Sequence, residues 1–252
     1  MRRFTLIAAF VAFFISPAAL AAGDATQLKE INWNHGGPFG TFDRASMQRG
    51  LQVYREVCSS CHGLKYIAFR NLVEIGLSED EAKAIAAEYT VMDGPNNEGD
   101  MYERAGKLSD YMPSPFDNEQ AARASNNGAL PPDLSLIVKA RSGAENYIYS
   151  LLTGYADAPS GITVAEGMNY NPYYPGHQIA MSPPVDDEAV DYIDGTKNSK
   201  EQIAKDVVTF LAWAAEPTLE VRKKMGVKVV LYLFLLTIVL YLVKRKVWAG
   251  VH

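Results

Sequence analysis

Two long apolar runs stand out along the chain, one near each end, and a mixed apolar and polar sequence lies between them. The first run covers residues 4–15, follows Met1-Arg2-Arg3 and is followed by small residues through Ala22. A basic start, a short apolar core and a small-residue end are typical of a cleavable export signal. We therefore predict a signal peptide over residues 1–22, because its apolar core is shorter than the ~20 residues of a spanning helix.

The second run, Val227 to Val243, has the composition of a membrane-spanning helix. Lys228 is its one charged residue, and basic triplets flank it at 222–224 and 244–246. A helix of an ordinary globular protein keeps one polar stripe, which this run lacks. We predict a transmembrane anchor with basic flanks over residues 222–246.

The orientation of this anchor follows from the export signal, because basic residues on both sides leave charge counting undecided. Exported residues 23–221 are expected outside the cytoplasm, and the tail, residues 247–252, inside it. The sequence thus predicts a single-pass protein of the inner (cytoplasmic) membrane with its main domain on the periplasmic side.

Between the two runs, apolar residues recur at helical spacing in two segments. Asp43 is a suitable N-cap for a helix that continues to about Val57. The residues of its apolar face are Met47, Leu51, Tyr54 and Cys58. A second helix begins with the capping-box sequence Ser199 to Gln202 and ends before Pro217. We expect these two amphipathic helices to pack on each other, with Gly50 allowing a close approach.

Shorter helical patterns run from Ser78 to Tyr89 and from Ala144 to Leu152. The remaining sequence is dense in Pro, Gly, Asn and Tyr, which favours long loops. No alternating strand pattern of any length is present. The predicted fold class is mainly α, with one domain over residues 23–221 and one C-terminal transmembrane helix.

The exported segment is strongly acidic, which the formal charge of −5 for the whole chain conceals. All 29 acidic residues but only 15 of the 24 basic residues lie between Asp24 and Glu220, so this segment has a formal charge of −14. Such a field repels nucleic acid and attracts basic proteins. We predict that a basic protein docks on the acidic surface. The acidic residues cluster at 79–81, 93–103 and 186–194. For any single one of these clusters, the alternative is a solvated face.

Cys58-Ser59-Ser60-Cys61-His62 is the motif with the most specific chemistry. Two thiols at this spacing can each add to one vinyl group of a porphyrin, and the adjacent imidazole can bind the iron. A zinc site needs four ligands, and the chain has no further cysteine and only four histidines. A redox-active dithiol remains an alternative. We predict one haem c, attached by two thioethers to Cys58 and Cys61, with His62 as an axial ligand of the iron.

The sixth ligand of the iron separates electron carriers from haems that bind oxygen or catalyse reactions. Met181 is the candidate, because the prolines shortly after it stiffen the backbone that carries its sulfur. Met112, which precedes Pro113, is an alternative, and His177 would give two imidazole ligands.

Several segments of the exported part, beyond the haem motif, resemble the cytochrome c1 family, the haem subunits of cytochrome bc1 complexes, in its bacterial form. The segments are Arg49 to Tyr54, Asp93 to Pro95, Gly106 to Tyr111, Asn126 to Ser135, Tyr147 to Tyr155, and Met181 with its prolines. The resemblance implies a class I cytochrome c-like fold with insertions and Met181 as the sixth ligand. It also implies that Asn126, Arg141 and Tyr147 lie along the haem, with Arg141 near a propionate. Ser182, which separates Met181 from the prolines, departs from the family pattern.

The same resemblance implies a one-electron carrier that performs no bond chemistry, so it has no catalytic residues and is not an enzyme by itself. In such a complex, which is expected to be dimeric, the haem accepts an electron from the Rieske iron-sulfur protein. It then reduces a soluble or tethered c-type cytochrome, while the anchor packs beside cytochrome b. Two alternatives stay open: a stand-alone anchored cytochrome or oxidase haem subunit, and a ligand-binding haem sensor or enzyme with an open distal site.

Overall fold

A computed structural model describes residues 26–250; the predicted signal peptide and the last two residues of the predicted tail lie outside the described residues. The helices are α1 Arg44–Val53, α2 Glu79–Ala87, α3 Glu119–Ser125, α4 Ala144–Thr153, α5 Lys200–Ala215 and α6 Leu219–Trp248. A π-helical turn, Tyr54–Cys58, continues α1, and a 3₁₀ helix covers Phe69–Ile75. The predicted mainly α fold with one apolar C-terminal helix is confirmed.

All four helices predicted within residues 23–221 are present. Asp43 Oδ1 accepts a hydrogen bond from the Ser46 amide (3.1 Å), and Ser199 Oγ accepts one from the Gln202 amide (3.4 Å), so both predicted N-caps are confirmed. The α-helical part of α1 ends short of Val57, because the backbone widens into the π-helical turn. The sequence pattern does not predict α3 or the 3₁₀ helix, since each has only seven residues.

The crossing of α1 and α5 forms the centre of the core. A Cβ on Gly50 would lie 2.2 Å from the Asp206 carbonyl oxygen and 2.6 Å from the Phe210 Cβ, so the helices touch at this glycine. The expected packing of these two helices, and the role of Gly50 in it, are confirmed. The large buried side chains of the two helices include Met47, Leu51, Ile203, Val207, Phe210 and Trp213.

A buried ion pair fastens α1 to α5. Asp206 is fully buried, and its carboxylate accepts hydrogen bonds from Arg49 Nε (2.8 Å) and Ser46 Oγ (2.6 Å). Arg49 Nη1 also donates to Asp194 (2.8 Å), and the guanidinium carbon lies 5.7 Å from the centre of the Tyr192 ring. Hydrogen bonds to the two carboxylates raise the pKa of Arg49. One guanidinium thus joins α1, α5 and the loop that precedes α5.

Within residues 26–250, four short strands form two antiparallel pairs that the sequence pattern does not predict. β1 Thr90–Asp93 pairs with β2 Tyr102–Ala105, and β3 Asn169–Tyr170 pairs with β4 Gln178–Ile179. Strands of two to four residues are too short to show an alternating pattern. The second pair matters for the site, because β4 ends two residues before Met181.

The longest helix, α6, has 30 residues and extends about 45 Å. Its most apolar 18-residue window has a mean hydropathy of 2.4, and none of that window is buried. Length and composition therefore fit the predicted membrane anchor, because the hydrocarbon core of a bilayer is about 30 Å thick. The first turn of α6 packs on the rest of the protein: Leu219 is buried, and Glu220 Oε1 accepts a hydrogen bond from the Phe42 amide (2.9 Å).

Candidate haem site

A cavity of about 710 Å³ brings the predicted site residues together. Its volume is in the range of small-molecule and cofactor sites, roughly 300–1,000 Å³. The predicted residues that line it are Cys58, Cys61, His62, Asn126, Arg141, Tyr147 and Met181. Much of the remaining wall is apolar and includes Leu134, Ile137, Ile148, Leu152, Val207 and Leu211. Segments far apart in sequence thus converge on one site.

The π-helical turn Tyr54–Cys58 carries the first cysteine to the cavity. The backbone then turns tightly, because the amides of Cys61 and His62 both donate to the Cys58 carbonyl (3.1 and 2.9 Å). Both cysteines are half-buried free thiols. The turn therefore sets two unpaired thiols and one imidazole on the same wall, as thioether attachment of a haem with a proximal histidine requires.

His62 is oriented by a backbone carbonyl. Its Nδ1 lies 2.7 Å from the Pro132 oxygen, and a carbonyl can only accept, so Nδ1 carries the proton and the Nε2 lone pair is left for a metal. Burial lowers the pKa of His62, against the opposing effects of Pro132 and Asp133, which favours the neutral ring that ligation requires. The Pro132 segment is held in turn, because the Leu134 amide donates to the Gly63 carbonyl (2.9 Å).

The environment of Cys58 bears on the alternative of a redox-active dithiol. Burial raises the pKa of the Cys58 thiol to about 12, and the neighbouring Cys61 adds to the shift. Reactive dithiols instead have thiol pKa values lowered to about 3.5–7.5, because the thiolate is the nucleophile. The Cys58 site therefore argues against a redox pair.

Met181 reaches the cavity on a loop that is held from two sides. Its carbonyl accepts hydrogen bonds from the Tyr155 hydroxyl (3.1 Å) and from Asn169 Nδ2 (3.3 Å). Asn171, which is fully buried, fastens the end of β3 to α4 by donating from Nδ2 to the Leu151 carbonyl (2.8 Å). The backbone of the candidate ligand is thus fixed by its neighbours.

The two alternative ligands do not line the cavity. Met112 is buried in the core, and its amide donates to the Ile67 carbonyl (2.9 Å). His177 donates from Nδ1 to the Pro172 carbonyl (3.0 Å). Of the three candidates for the sixth ligand, only Met181 shares the wall with His62.

Asn126, Arg141 and Tyr147 form a polar part of the wall. Asn126 follows α3 and donates from Nδ2 to the Ala122 carbonyl (2.7 Å). Arg141 is exposed and donates from Nη1 to the Ala140 carbonyl (3.1 Å), so other N–H groups of its guanidinium can bind an anionic group. Burial raises the pKa of Tyr147, although the nearby Arg141 charge opposes this, so the phenol is neutral.

Sequence reasoning misses the residues that act on the candidate ligands through hydrogen bonds, namely Pro132, Tyr155 and Asn169. The sequence does mark Pro132 as a rigid position, because Pro131 and Pro132 are consecutive and stiffen the backbone before Asp133. Tyr155 lies in a segment that resembles the family, but nothing in the sequence gives Tyr155 or Asn169 a contact with Met181, because that contact depends on the path of the loops.

Three features define the class of this protein: a helical fold, a haem-attachment motif on the wall of a cofactor-sized cavity, and a long apolar helix. Together they are typical of membrane-anchored haem proteins. Within this class, the sequence pattern described as the Cytochrome C1 family matches residues 33–251. The chain therefore belongs to the cytochrome c1 family, the haem subunits of bc1 complexes, as the motifs predict.

Similar proteins cover most of the chain. Cytochrome c1 of Rhodospirillum rubrum is 47% identical over 262 residues, which are 98% of this chain and 96% of that protein. The mitochondrial cytochrome b-c1 complex catalytic subunit of Candida albicans is 54% identical over 235 residues, which are 93% of this chain and 82% of that protein. Cytochrome b/c1 of Bradyrhizobium diazoefficiens is 49% identical over 242 residues, which are 87% of this chain and 35% of that longer protein.

Proposed function

We propose that the chain is a one-electron carrier, the membrane-anchored c-type haem subunit of a bc1 complex. One haem c is attached by thioethers to Cys58 and Cys61, and His62 and Met181 are the axial ligands of its iron. The protein accepts an electron from the Rieske iron-sulfur protein and passes it to a soluble or tethered c-type cytochrome. It performs no bond chemistry by itself.

The observation that carries the proposal is the shared cavity wall of the two thiols, the oriented His62 and the held Met181. With both axial positions filled by the protein, an iron centre exchanges electrons without binding a substrate. The proton on His62 Nδ1 supports this assignment, because it leaves Nε2 as the ligating atom.

The haem, when bound, supplies a one-electron redox couple. The chain's residues set the conditions for it. The apolar wall would keep water from the haem, the Met181 sulfur would favour its ferrous state and so raise its potential, and the Pro132 carbonyl holds the His62 ring in place. The Arg141 guanidinium offers N–H groups to a propionate.

The names of two relatives support the proposed partners. The Candida albicans protein is named as a subunit of a cytochrome b-c1 complex, and the name of the Bradyrhizobium diazoefficiens protein combines cytochrome b with cytochrome c1. We place α6 beside cytochrome b in the inner membrane of a dimeric complex. The haem domain, residues 23–221, is on the periplasmic side and residues 247–252 are in the cytoplasm. The domain charge of −14 suits a basic c-type cytochrome as electron acceptor.

The sharpest test replaces the proposed sulfur ligand. In the purified complex, we expect no Soret shift when carbon monoxide is added to the reduced parent protein. Met181→Leu should bind carbon monoxide and should have a lower reduction potential in an optical titration, because the thioether ligand is lost. Met112→Leu is the matched control and should change neither readout, since leucine nearly conserves the volume of that buried side chain.

Carbon monoxide binding by the parent protein would favour the ligand-binding haem. An unchanged potential in Met181→Leu would move the ligand to Met112 or His177. Extraction with acidic acetone tests the thioethers separately, because covalently bound haem stays with the polypeptide. Purification with cytochrome b and the iron-sulfur protein distinguishes a bc1 subunit from a stand-alone cytochrome or an oxidase subunit.

A further inference from the structure

The loop over residues 36–41 presents one large apolar side chain to solvent. Phe39 is 79% exposed, and none of these six residues is charged. A single exposed apolar side chain is normal on a protein surface and carries no meaning alone. Phe39 differs because the loop has a fixed shape and is attached to the base of α6.

Backbone contacts fix the shape of this loop. The Thr41 amide donates to the Asn34 carbonyl (3.1 Å) and closes the neck of the loop. A Cβ on Gly40 would lie 2.0 Å from the Gly36 carbonyl oxygen, so the two sides of the loop touch. Phe39 is therefore held at the tip of the loop with most of its side chain exposed.

The loop is attached to α6 next to its apolar run. Lys223 Nζ donates to the carbonyls of His35 (2.5 Å) and Gly40 (3.2 Å), and Gly40 directly follows Phe39. Val227, where the apolar run begins, is one helical turn beyond Lys223, about 6 Å along the axis. The headgroup layer on each side of a bilayer is roughly 5–7 Å thick, so the tip lies within reach of it.

We propose that Phe39 inserts into the headgroup region of the lipid bilayer beside α6, as a second membrane contact of the protein. Aromatic side chains are enriched at this boundary, and an uncharged loop tip enters it without desolvating a charge. A second contact, attached through Lys223, would fix the orientation of the cavity relative to the membrane.

The test measures where position 39 lies in the full-length protein, reconstituted in phosphatidylcholine and phosphatidylglycerol bilayers. A nitroxide spin label is attached to Phe39→Cys, and its collisions with oxygen, which concentrates in lipid, are compared with those of a water-soluble nickel chelate. We expect oxygen to dominate at position 39. The parent chain is labelled in parallel, so any reaction at Cys58 or Cys61 is subtracted and the result does not depend on their haem attachment.

Ile193→Cys is the matched control. Ile193 is 98% exposed, and the neighbouring Asp194 is tied through Arg49 to Asp206, which lies about 14 Å along α5 before that helix ends. Its label should collide mainly with the nickel chelate. Equal chelate accessibility at positions 39 and 193 would overturn the proposal by placing Phe39 in water.

A label at position 39 that is shielded from both reagents would also overturn the proposal, because protein and not lipid would then cover position 39. Phe39→Trp gives a second reading if the cysteine variant does not accumulate. Its added tryptophan fluorescence, measured against the parent chain, should be quenched by lipids brominated near the headgroup. Absence of quenching would count against the membrane contact.

Discussion

A hydrogen bond to a backbone carbonyl positions each proposed axial ligand of the iron. The Pro132 carbonyl accepts from the His62 ring, whereas the carbonyl of Met181 itself accepts from Tyr155 and Asn169. The second arrangement suits a weakly bound sulfur, whose position must be set by the backbone because the flexible methionine side chain does not set it. The sequence predicts the ligands through their motifs, but Tyr155 is 26 positions from Met181 and no local pattern joins them.

Removing the Tyr155 hydroxyl should loosen the proposed ligand. Tyr155→Phe keeps the ring but removes one of the two hydrogen bonds to the Met181 carbonyl. A net hydrogen bond contributes about 1 kcal/mol, so the fraction of open iron should rise about fivefold. We expect faster carbon monoxide binding to the reduced protein in stopped-flow measurements.

Tyr111→Phe is the control for this substitution, because Tyr111 is 53% exposed and does not line the cavity. It should bind carbon monoxide as the parent protein does. Identical rates for the Tyr155 variant and the parent would show that the hydroxyl does not restrain Met181.

The sequence predicts those helices that begin with an N-cap residue and have apolar residues at helical spacing over several turns. Asp43 and Ser199 mark the starts of α1 and α5, and Gly50 marks their crossing, because local hydrogen bonding and periodicity determine these features. The short strands and α3 depend on contacts distant in sequence, so periodicity does not reveal them. The same holds for the cavity. Its cysteines and histidine form a local motif that the sequence reveals, whereas the positions of its loops depend on contacts distant in sequence.

A methyl group at the crossing should separate α1 from α5. Gly50→Ala would place a Cβ 2.2 Å from the Asp206 carbonyl oxygen, and overpacking of this kind costs about 3 kcal/mol. We expect the urea midpoint of unfolding of Gly50→Ala, monitored by far-ultraviolet circular dichroism, to be lower than that of the parent protein.

Gly226→Ala is the matched control, since Gly226 lies in α6 and an added Cβ would meet nothing within 4 Å. Its unfolding midpoint should equal that of the parent or exceed it, because alanine favours a helix. A similar midpoint for both variants would mean that the crossing relaxes without cost.

For the whole molecule, charge is separated along the chain. Residues 24–220 have a formal charge of −14, while seven of the basic residues lie at 222–246, around and within the apolar run. This separation and the two apolar runs are properties of composition, so the sequence predicts them fully. The relative positions of the acidic groups depend on the folded loops and do not follow from composition.

Electron transfer to a basic c-type cytochrome should depend strongly on salt. Electrostatic steering raises association rates by about 10–1,000-fold and is screened beyond about 8 Å at physiological ionic strength. We expect the second-order rate constant, measured by stopped flow with the purified complex, to fall steeply as salt is added. An uncharged one-electron acceptor is the control and should show little change. A flat salt dependence with the basic cytochrome would refute docking on the acidic surface.

The contacts of the first turns of α6 decide where a water-soluble fragment of this protein can end. A cut at Pro217, where the preceding helix stops, removes the buried Leu219 and the partner of the Phe42 amide, Glu220. It also removes Lys223, which holds two loop carbonyls. A truncation after residue 224 keeps these attachments and removes the apolar run, so we expect this fragment, and not the one that ends at Pro217, to fold without detergent.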